Sequence, residues 1–175
     1  FYSGIDPLLI AATLPTLKGA PGRLEVVNVG QSFISLVDYA HTPDAVTRVL
    51  QSARGLGKRV IAVLGCGGDR DKSKRPIMGK ALASFSDVAI FTSDNPRSED
   101  PSLILKEMTA EVKLDEKKVV VIDRREAIAL AVTHAHEGDC VIILGKGHEL
   151  GQEIKGEKFP FDDRTELAKA IREIS

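Results

Sequence analysis

The sequence predicts an α/β protein whose open, mostly parallel sheet is covered by helices on both faces. Val- and Ile-rich runs bounded by turn residues alternate with amphipathic helical patterns from residue 33 onward. The later runs are almost continuous in apolar residues, which is typical of parallel strands that are buried on both sides. Strands that alternate with helices are joined by right-handed crossovers into one open sheet.

Six apolar runs are the predicted strands, and one further segment is predicted to be a short strand or a hairpin because it contains Gly and alternates. The six runs cover residues 24–29, 33–38, 59–65, 87–93, 118–123 and 140–145. The further segment lies near residues 152–158.

Five helical patterns separate or follow these strands. Thr42 and Asp100 are each followed by Pro, which predicts an N-cap with Pro at the first helical position. Asp123 opens another helix, and Gly55 and Gly138 are predicted stops. The five predicted helices cover residues 42–55, 74–85, 100–112, 123–138 and 162–175. The second carries an apolar stripe made of Ile77, Ala81, Leu82 and Phe85.

The N-terminal stretch predicts a fragment that begins inside a longer protein. The chain has 175 residues, lacks an initiator Met, and opens with a short helix and a turn. The turn over residues 19–22 is the plausible boundary. We therefore expect residues 1–20 to be the tail of a preceding domain and residues 21–175 to form the α/β domain.

Composition narrows the classes of function. The net charge of −1 argues against a broad electrostatic affinity for nucleic acid or an acidic membrane. No apolar run approaches the roughly 20 residues of a membrane span, and no signal peptide opens the chain. Cys66 and Cys140 lack CxxC spacing, and no His, Cys and carboxylate set has zinc spacing. These observations predict a cytoplasmic protein with no metal site and neither a nucleic-acid nor a membrane partner.

Polar or Gly-rich loops follow four of the predicted strands. In an open parallel sheet, ligands bind at the carboxyl ends of the strands. The loops are "DYAHTPD" from residue 38, "GCGGDRDKSKRP" from residue 65, "SDNPRSED" from residue 93 and "GKGHE" from residue 145. Their position predicts one site for a charged ligand, although a scaffold without a ligand can also carry polar loops there.

The loop after residue 65 combines backbone freedom with charge. Its glycines let backbone N–H groups approach an anion, and Arg70 offers a carboxylate two parallel hydrogen bonds. The loop matches neither GxGxxG nor GxxxxGK[ST], so neither phosphate-binding motif is predicted. The alternative is a surface turn in which three neighbours pair with one another, namely Asp69, Arg70 and Asp71. Lys74 and Arg75 are predicted to start the next helix or to face solvent.

The "DNPR" segment offers groups of both charges. Asp94 is a predicted partner for an ammonium group, Asn95 donates and accepts hydrogen bonds, and Arg97 is a second fork for a carboxylate. Pro96 fixes the backbone between them. Such a set suits a zwitterion. The alternative is an Asx turn that begins a helix.

The last of the four loops, "GKGHE", follows the strand near residue 140. Gly145 and Gly147 permit sharp turns, Glu149 is a predicted ligand for an amino group, and His148 is predicted to orient it. Lys146 lies in the same loop. The alternative is a polar helix start with a solvated His148.

The first loop contains residues suited to a nucleotide. Tyr39 and Pro43 are predicted to flank a flat ring, and Asp38 is predicted to accept from a ribose hydroxyl. His41 lies in the same loop. The alternative is a helix start that is capped by Thr42 and binds no ligand.

Taken together and in this order, "VDYAHTPDAV", "GCGGDRDKSKRPIMGKAL", "TSDNPRSEDP" and "GKGHELGQ…FDDR" resemble the C-terminal domain of the Mur ligases. The resemblance covers about residues 21–175, and residues 1–20 resemble the tail of the central, ATP-binding domain of these ligases. It implies a Rossmann-like fold. The "DNPR" motif resembles the members that add meso-diaminopimelate to UDP-N-acetylmuramoyl-L-alanyl-D-glutamate rather than those that add lysine.

The resemblance also implies an activity and a set of contacts. Mur ligases use ATP and Mg²⁺ to form an acyl phosphate on the free carboxyl of the substrate, which the incoming amine then attacks. By this resemblance, diaminopimelate contacts six residues, namely Arg70, Asp94, Asn95, Arg97, Gly145 and Glu149. Three others close over the nucleotide, namely Asp38, Tyr39 and His41.

The chain departs from the complete family pattern. It contains no GT-G-K-[ST] phosphate loop and no context for the modified lysine that helps to hold magnesium. We therefore expect ATP, Mg²⁺ and the UDP-sugar to bind mainly outside these residues. We expect no catalytic residue in this chain and no ligation by this chain alone.

The sequence is compatible with two alternatives to the ligase. One is a non-enzymatic relative of the ligase that serves as an accessory component of a plastid RNA polymerase. The other is a generic nucleotide-binding α/β domain.

Overall fold

The computed structural model describes residue 4, residues 6–13 and residues 19–174. Its strands are β1 Glu25–Val26, β2 Ile34–Asp38, β3 Val60–Cys66, β4 Val88–Ser93, β5 Lys118–Val120, β6 Cys140–Leu144, β7 Gly151–Ile154 and β8 Glu157–Pro160. Its helices are α1 Pro7–Thr13, α2 Pro43–Ala53, α3 Lys74–Phe85, α4 Pro101–Met108, α5 Arg124–Thr133 and α6 Asp163–Ile174.

The main sheet has six strands in the order β1-β2-β6-β3-β4-β5. The five strands from β2 to β5 in this order run parallel, and β1 pairs antiparallel with β2 at one edge. Strands β7 and β8 form a separate antiparallel hairpin. The predicted open, mostly parallel sheet and the predicted hairpin are therefore both confirmed.

Helices cover both faces of the sheet, as predicted. On one face, α2, α3 and α4 pack on a core that includes Leu64, Phe91 and Leu144. On the other face, α5 and α6 pack on a core that includes Val63 and Ile143. Strands β3, β4 and β6 are buried along their whole length because both of their faces are covered.

The predicted helix starts are confirmed by capping contacts. The side chain of Thr42 accepts a hydrogen bond from Ala45 N–H, and Asp100 accepts one from Ser102 N–H. Asp123 accepts from the N–H groups of both Arg125 and Glu126. Each cap is the last residue of a loop that follows a strand, so it sets the point at which the helix leaves the sheet edge.

The predicted apolar stripe of α3 is wrong in part. Ile77 is 55% exposed. Ala81 and Leu82 are buried as predicted, and the rest of the buried face consists of Arg75, Met78 and Gly79. Because a polar residue and a glycine complete this face, a search for apolar periodicity places the stripe about one residue too early.

Four predicted element ends differ from the structure by three or more residues. Strand β5 ends at Val120 and not at residue 123, and helix α4 ends at Met108 and not at residue 112. The other two are the ends of β1 and α5. Strand β1 ends at Val26 because the side chain of Gln31 bonds the backbone of Val27 and Val29, which forms a turn instead of a strand. Helix α5 ends at Thr133 and not at Gly138. Past that point Asp139 accepts a hydrogen bond from His136 N–H at 2.8 Å, which replaces the helical pattern.

The predicted N-terminal helix is present as α1, and the remainder of that stretch, residues 1–3, 5 and 14–18, lies outside the described residues.

None of the helices described here is both long enough and apolar enough to cross a membrane.

Candidate functional site

A cavity of ≈ 290 Å³ opens at the carboxyl ends of β2, β6, β3 and β4. All four predicted loops contribute to its wall. The lining includes all six residues that the sequence assigns to an amino acid, namely Arg70, Asp94, Asn95, Arg97, Gly145 and Glu149. It also includes Tyr39 and His41, whereas Asp38 is not among the lining residues.

The loop after β3 lies directly against the segment after β4. Gly68 N–H donates to the carbonyl of Asn95 at 2.8 Å, and Nη1 of Arg97 donates to the carbonyl of Gly68 at 2.8 Å. A Cβ atom at Gly68 would collide with the backbone of Pro96. Glycine is thus required there because two backbones must meet.

The hairpin of β7 and β8 holds Arg97 from the other side. Arg97 N–H donates to the carbonyl of Glu153 at 3.0 Å, and Lys155 N–H donates to the carbonyl of Arg97 at 2.7 Å. Arg97 has a φ of +51°, which a residue with a side chain adopts only when its surroundings impose it. The hairpin therefore fixes a strained backbone at the cavity wall.

Three arginines line the cavity, and two of them, Arg70 and Arg97, retain hydrogen-bond donors for a ligand. In Arg97, Nε lies 3.2 Å from the carboxylate of Glu153 and Nη1 bonds Gly68, while Nη2 has no acceptor among the described residues. Arg70 is exposed and has no ion-pair partner in the described part of the chain. The alternative in which Arg70 pairs with its neighbours is absent here, because Asp69 bonds Ser98 and Asp71 bonds Ser73.

The opposite wall carries two carboxylates that share a buried ammonium group. Nζ of Lys146 lies 3.1 Å from Oδ1 of Asp94, 2.8 Å from Oδ1 of Asn95 and 3.4 Å from Oε2 of Glu149. Nδ2 of Asn95 donates to Oε2 of Glu149 at 2.9 Å. Lys146 itself is fully buried, so it braces the wall from behind. With one cation against two carboxylates, this wall keeps one net negative charge.

Gly145 keeps the face of Asp94 accessible. Its φ is +112°, and a Cβ atom there would lie 3.0 Å from Oδ2 of Asp94. Since Oδ1 of Asp94 faces Lys146, Oδ2 is the oxygen left for a ligand. A side chain at position 145 would stand in front of it.

Aromatic and cationic groups form the rim next to β2. The ring of Tyr39 lies 4.6 Å from His41 and 5.4 Å from His148, centroid to centroid, and the guanidinium of Arg23 lies 5.1 Å from the Tyr39 ring. Asp38 is buried beneath them, and its carboxylate accepts from Leu24 N–H and Ala40 N–H. Asp38 thus shapes the turn that carries Tyr39.

The structure adds detail for three residues of these loops. His148 packs near Tyr39 and makes no hydrogen bond to Glu149 among the described residues, whereas Asn95 and Lys146 both donate to Glu149. Arg75 starts a helix, as predicted, and its side chain is only 1% exposed. The role of Lys146 was missed because nothing in "GKGHE" indicates that the lysine turns inward.

The chemistry of the cavity suits a small ligand of mixed charge. Guanidinium donors lie on one side, carboxylate acceptors lie on the other, and a volume of ≈ 290 Å³ is at the lower end for small-molecule sites. Burial raises the pKa of the Cys66 thiol to about 12, so the cysteine in the cavity wall is poorly suited to act as a nucleophile. The opposed guanidinium and carboxylate groups suit the cavity to hold and orient a charged molecule.

Comparison with known proteins gives consistent matches. A family model described as "Mur ligase, glutamate ligase domain" matches residues 22–147. A protein from Syntrophomonas wolfei, named UDP-N-acetylmuramoyl-L-alanyl-D-glutamate–2,6-diaminopimelate ligase, is 51% identical over 172 residues, which are 97% of this chain and 35% of that protein. A protein of the same name from Geobacillus kaustophilus is 51% identical over 173 residues, with 98% and 35% covered.

A solved structure of a ligase with that name superposes with a TM-score of 0.84 at 42% identity, covering 99% of this chain and 36% of the other. The chain thus spans about a third of the length of the relatives it matches. The alternative of an accessory protein of a plastid RNA polymerase is not supported, because these relatives are named as ligases. The alternative of a generic nucleotide-binding domain is also not supported, because the matches are to one specific family. The chain belongs to the Mur ligase family and corresponds to its C-terminal domain.

Proposed function

We propose that this chain is the amino-acid-binding and lid domain of an ATP-dependent ligase that joins meso-diaminopimelate to UDP-N-acetylmuramoyl-L-alanyl-D-glutamate in peptidoglycan synthesis. One observation carries the proposal: the six residues assigned to diaminopimelate all line a single cavity, with donors on one side and acceptors on the other. The names of the relatives at 51% identity agree with it.

The charges of the cavity complement an amino acid with two charged ends. Nη2 of Arg97 is available to one carboxylate, and the exposed guanidinium of Arg70 is available to the other. Oδ2 of Asp94 and the free oxygen of Glu149 are available to an ammonium group. Diaminopimelate carries two carboxylates and two amino groups, so it satisfies both walls at once.

Lysine satisfies only part of this arrangement. It has one carboxylate, so either Arg70 or Arg97 would lose its partner when lysine enters the cavity. A charged group that is taken out of water without a partner costs about 1–3 kcal/mol or more. This cost favours diaminopimelate over lysine in the proposed reaction.

The nucleotide part of the proposal involves this chain only at its rim. In the family, ATP supplies the phosphoryl group that activates the carboxyl of the substrate. Tyr39 and His41 at the rim are suited to lie against a base or ribose, and Asp38 acts by shaping their turn. The described residues include no group of three or more His, Cys, Asp or Glu side chains arranged for a metal. We therefore assign Mg²⁺ to no residue of this chain.

We further propose that residues 1–20 belong to the central domain and residues 21–175 to the C-terminal domain. Helix α1 supports this boundary because none of its residues is buried against the α/β domain. Ligation then requires closure of this domain onto the rest of the ligase, which brings the amine held here to the activated carboxyl. We place the reaction in the cytoplasm.

The test is a ligation assay with the full-length protein, ATP and UDP-N-acetylmuramoyl-L-alanyl-D-glutamate. We expect product with meso-diaminopimelate and little with lysine. Arg97→Met should lower kcat/KM for diaminopimelate about 30-fold or more, since removing one partner of a buried charge pair costs about 2–5 kcal/mol. Arg172→Met, at an exposed position of α6, is the control and should change nothing. Equal use of both amino acids by the wild-type protein would contradict the proposal.

A further inference from the structure

Arg75 lies where its own helix does not favour a positive charge. It is in the first turn of α3, which contains no acidic residue, and Ser73 before it makes no side-chain cap. The positive end of the helix dipole lies at this terminus, so a cation there is locally unfavourable. The side chain is nevertheless only 1% exposed. Groups outside α3 must therefore stabilise the guanidinium.

Those groups come from three other parts of the chain. Nη2 and Nη1 of Arg75 donate to Oε1 and Oε2 of Glu99 at 2.8 and 3.0 Å, which forms a bidentate pair. Nη1 also donates to Oε2 of Glu107 in α4 at 2.7 Å, and Nη2 to the carbonyl of Gly67 at 3.2 Å. One guanidinium thus joins the start of α3, the loop after β3, the segment after β4 and helix α4.

The two segments joined by this contact carry Arg70 and Arg97, which line the cavity together with Arg75 itself. Further hydrogen bonds tie the segments together around Glu99. Asp69 N–H donates to Oε1 of Glu99 at 2.7 Å, and Ser98 Oγ donates to Oδ1 of Asp69 at 2.6 Å. Asp69 and Ser98 are exposed, whereas the Arg75 guanidinium and the backbone hydrogen bond from Gly68 to Asn95 are buried. Arg75 is thus the buried side chain of this connection.

We propose that Arg75 is a positioning residue that fixes the placement of Arg70 relative to Arg97 by clamping Glu99 against the loop after β3. The inference rests on the proposed function, since it concerns how the site recognises two carboxylates. A ligand with two carboxylates needs both guanidiniums at a fixed spacing, whereas a ligand with one carboxylate can use either alone. Loosening the clamp therefore impairs the use of diaminopimelate more than the use of lysine.

The test uses the full-length protein, with kcat and KM measured separately for meso-diaminopimelate and lysine. Arg75→Met removes all four hydrogen bonds and keeps a side chain of similar length. We expect KM for diaminopimelate to rise about tenfold or more, and its preference over lysine to fall by a similar factor, while kcat changes less than about threefold. Arg75→Lys keeps the charge and should restore part of the preference.

Glu99→Gln tests whether the effect passes through this carboxylate. It should lower the preference for diaminopimelate over lysine as Arg75→Met does. The double variant should show a preference no lower than that of the single variant with the larger loss. Lys80→Met is the matched control. Its ion pair with Glu111, at 3.3 Å, links α3 to the chain after α4 at the exposed surface, and its loss should leave the preference unchanged.

Melting temperatures identify any variant that fails to fold, and if Arg75→Met is one of them, Glu99→Gln decides the question. An equal loss with both amino acids in Arg75→Met, or an unchanged preference in Glu99→Gln, overturns the positioning role. A wild-type protein that ligates neither amino acid contradicts the proposed function instead, so the two failures are distinct.

Discussion

Nζ of Lys146 donates a hydrogen bond of 2.8 Å to Oδ1 of Asn95, so a fully buried cation supports a residue of the cavity wall from behind. The same ammonium group lies within 3.4 Å of Asp94 and Glu149. The wall therefore depends on a residue that does not itself line the cavity.

Lys146→Met should destabilise the protein and weaken amino-acid binding together. Loss of one partner from a buried ion pair costs about 3–5 kcal/mol of folding free energy, because the remaining charges are left unpaired. We expect a lower melting temperature and a higher KM for diaminopimelate. Lys169→Met breaks an exposed pair with Glu173 and should cost less than about 1 kcal/mol. A Lys146→Met protein with normal stability would contradict the structural part of this account.

Gly145→Ala should reduce activity beyond its effect on stability. The new Cβ would lie 3.0 Å from Oδ2 of Asp94, and the φ of +112° is strained for alanine. Strain of this kind costs about 1–3 kcal/mol. Gly156→Ala is a matched control, since Gly156 has a φ of +82° and no atom within 4 Å of the added Cβ. We expect both variants to melt at lower temperature, and only Gly145→Ala to lose kcat/KM for diaminopimelate. Equal activity in both variants would show that Gly145 serves the backbone alone.

Glu99 should make stability depend on pH. Hydrogen bonds from Arg75, from Asp69 N–H and from Lys72 hold the pKa of Glu99 well below its ordinary value of 4.5. The stabilisation is therefore fully present above about pH 5 and is lost as the pH falls toward the folded-state pKa, since the unfolded chain takes up the proton first. The wild type should melt above Glu99→Gln at pH 7, with a smaller difference at pH 4.

The control for this pH dependence is Glu173→Gln, because the Glu173 side chain is 62% exposed and pairs only loosely with Lys169 at 3.9 Å. Its melting temperature should stay close to that of the wild type at both values of pH. A difference between wild type and Glu99→Gln that stays constant from pH 7 to pH 4 would contradict the assigned pKa direction.

Both cysteines should be unreactive in the folded protein. Burial raises the pKa of the Cys66 thiol to about 12 and that of Cys140 to about 11. At pH 8 only about one Cys66 thiol in ten thousand is then ionised, and the thiolate is the reactive form. Peptide mass spectrometry after iodoacetamide treatment should find both cysteines unlabelled in native protein and labelled in denaturant. Rapid native labelling of Cys66 would mean that the cavity opens much further than described.

The sheet could be predicted from sequence because its signals are local. Strands β3, β4 and β6 are apolar throughout, and the capping residues Thr42 and Asp123 appear directly before their helices. Two boundaries that differ depend on side chains that bond the nearby backbone. Helix α5 stops early because Asp139 accepts a hydrogen bond from His136 N–H, three residues before it, and apolar periodicity does not indicate such a contact.

The cavity could be predicted because parallel strands bring their carboxyl ends to one edge. The bracing residues could not, since Arg75 and Lys146 belong to residue types that are usually exposed. One signal was available for Arg75: a cation in the first turn of a helix without acidic neighbours opposes the helix dipole, which indicates a partner elsewhere. The partner itself, Glu99, lies 24 residues away in sequence, and only the fold brings the two together.

The most direct test of the central claim is a crystal structure of the full-length protein with meso-diaminopimelate bound. We predict one carboxylate of the ligand within hydrogen-bonding distance of Nη2 of Arg97, the other near Arg70, and an amino group between Asp94 and Glu149. A ligand bound outside the cavity at the carboxyl ends of β2, β6, β3 and β4, or bound there without contact to Arg97, would contradict the claim.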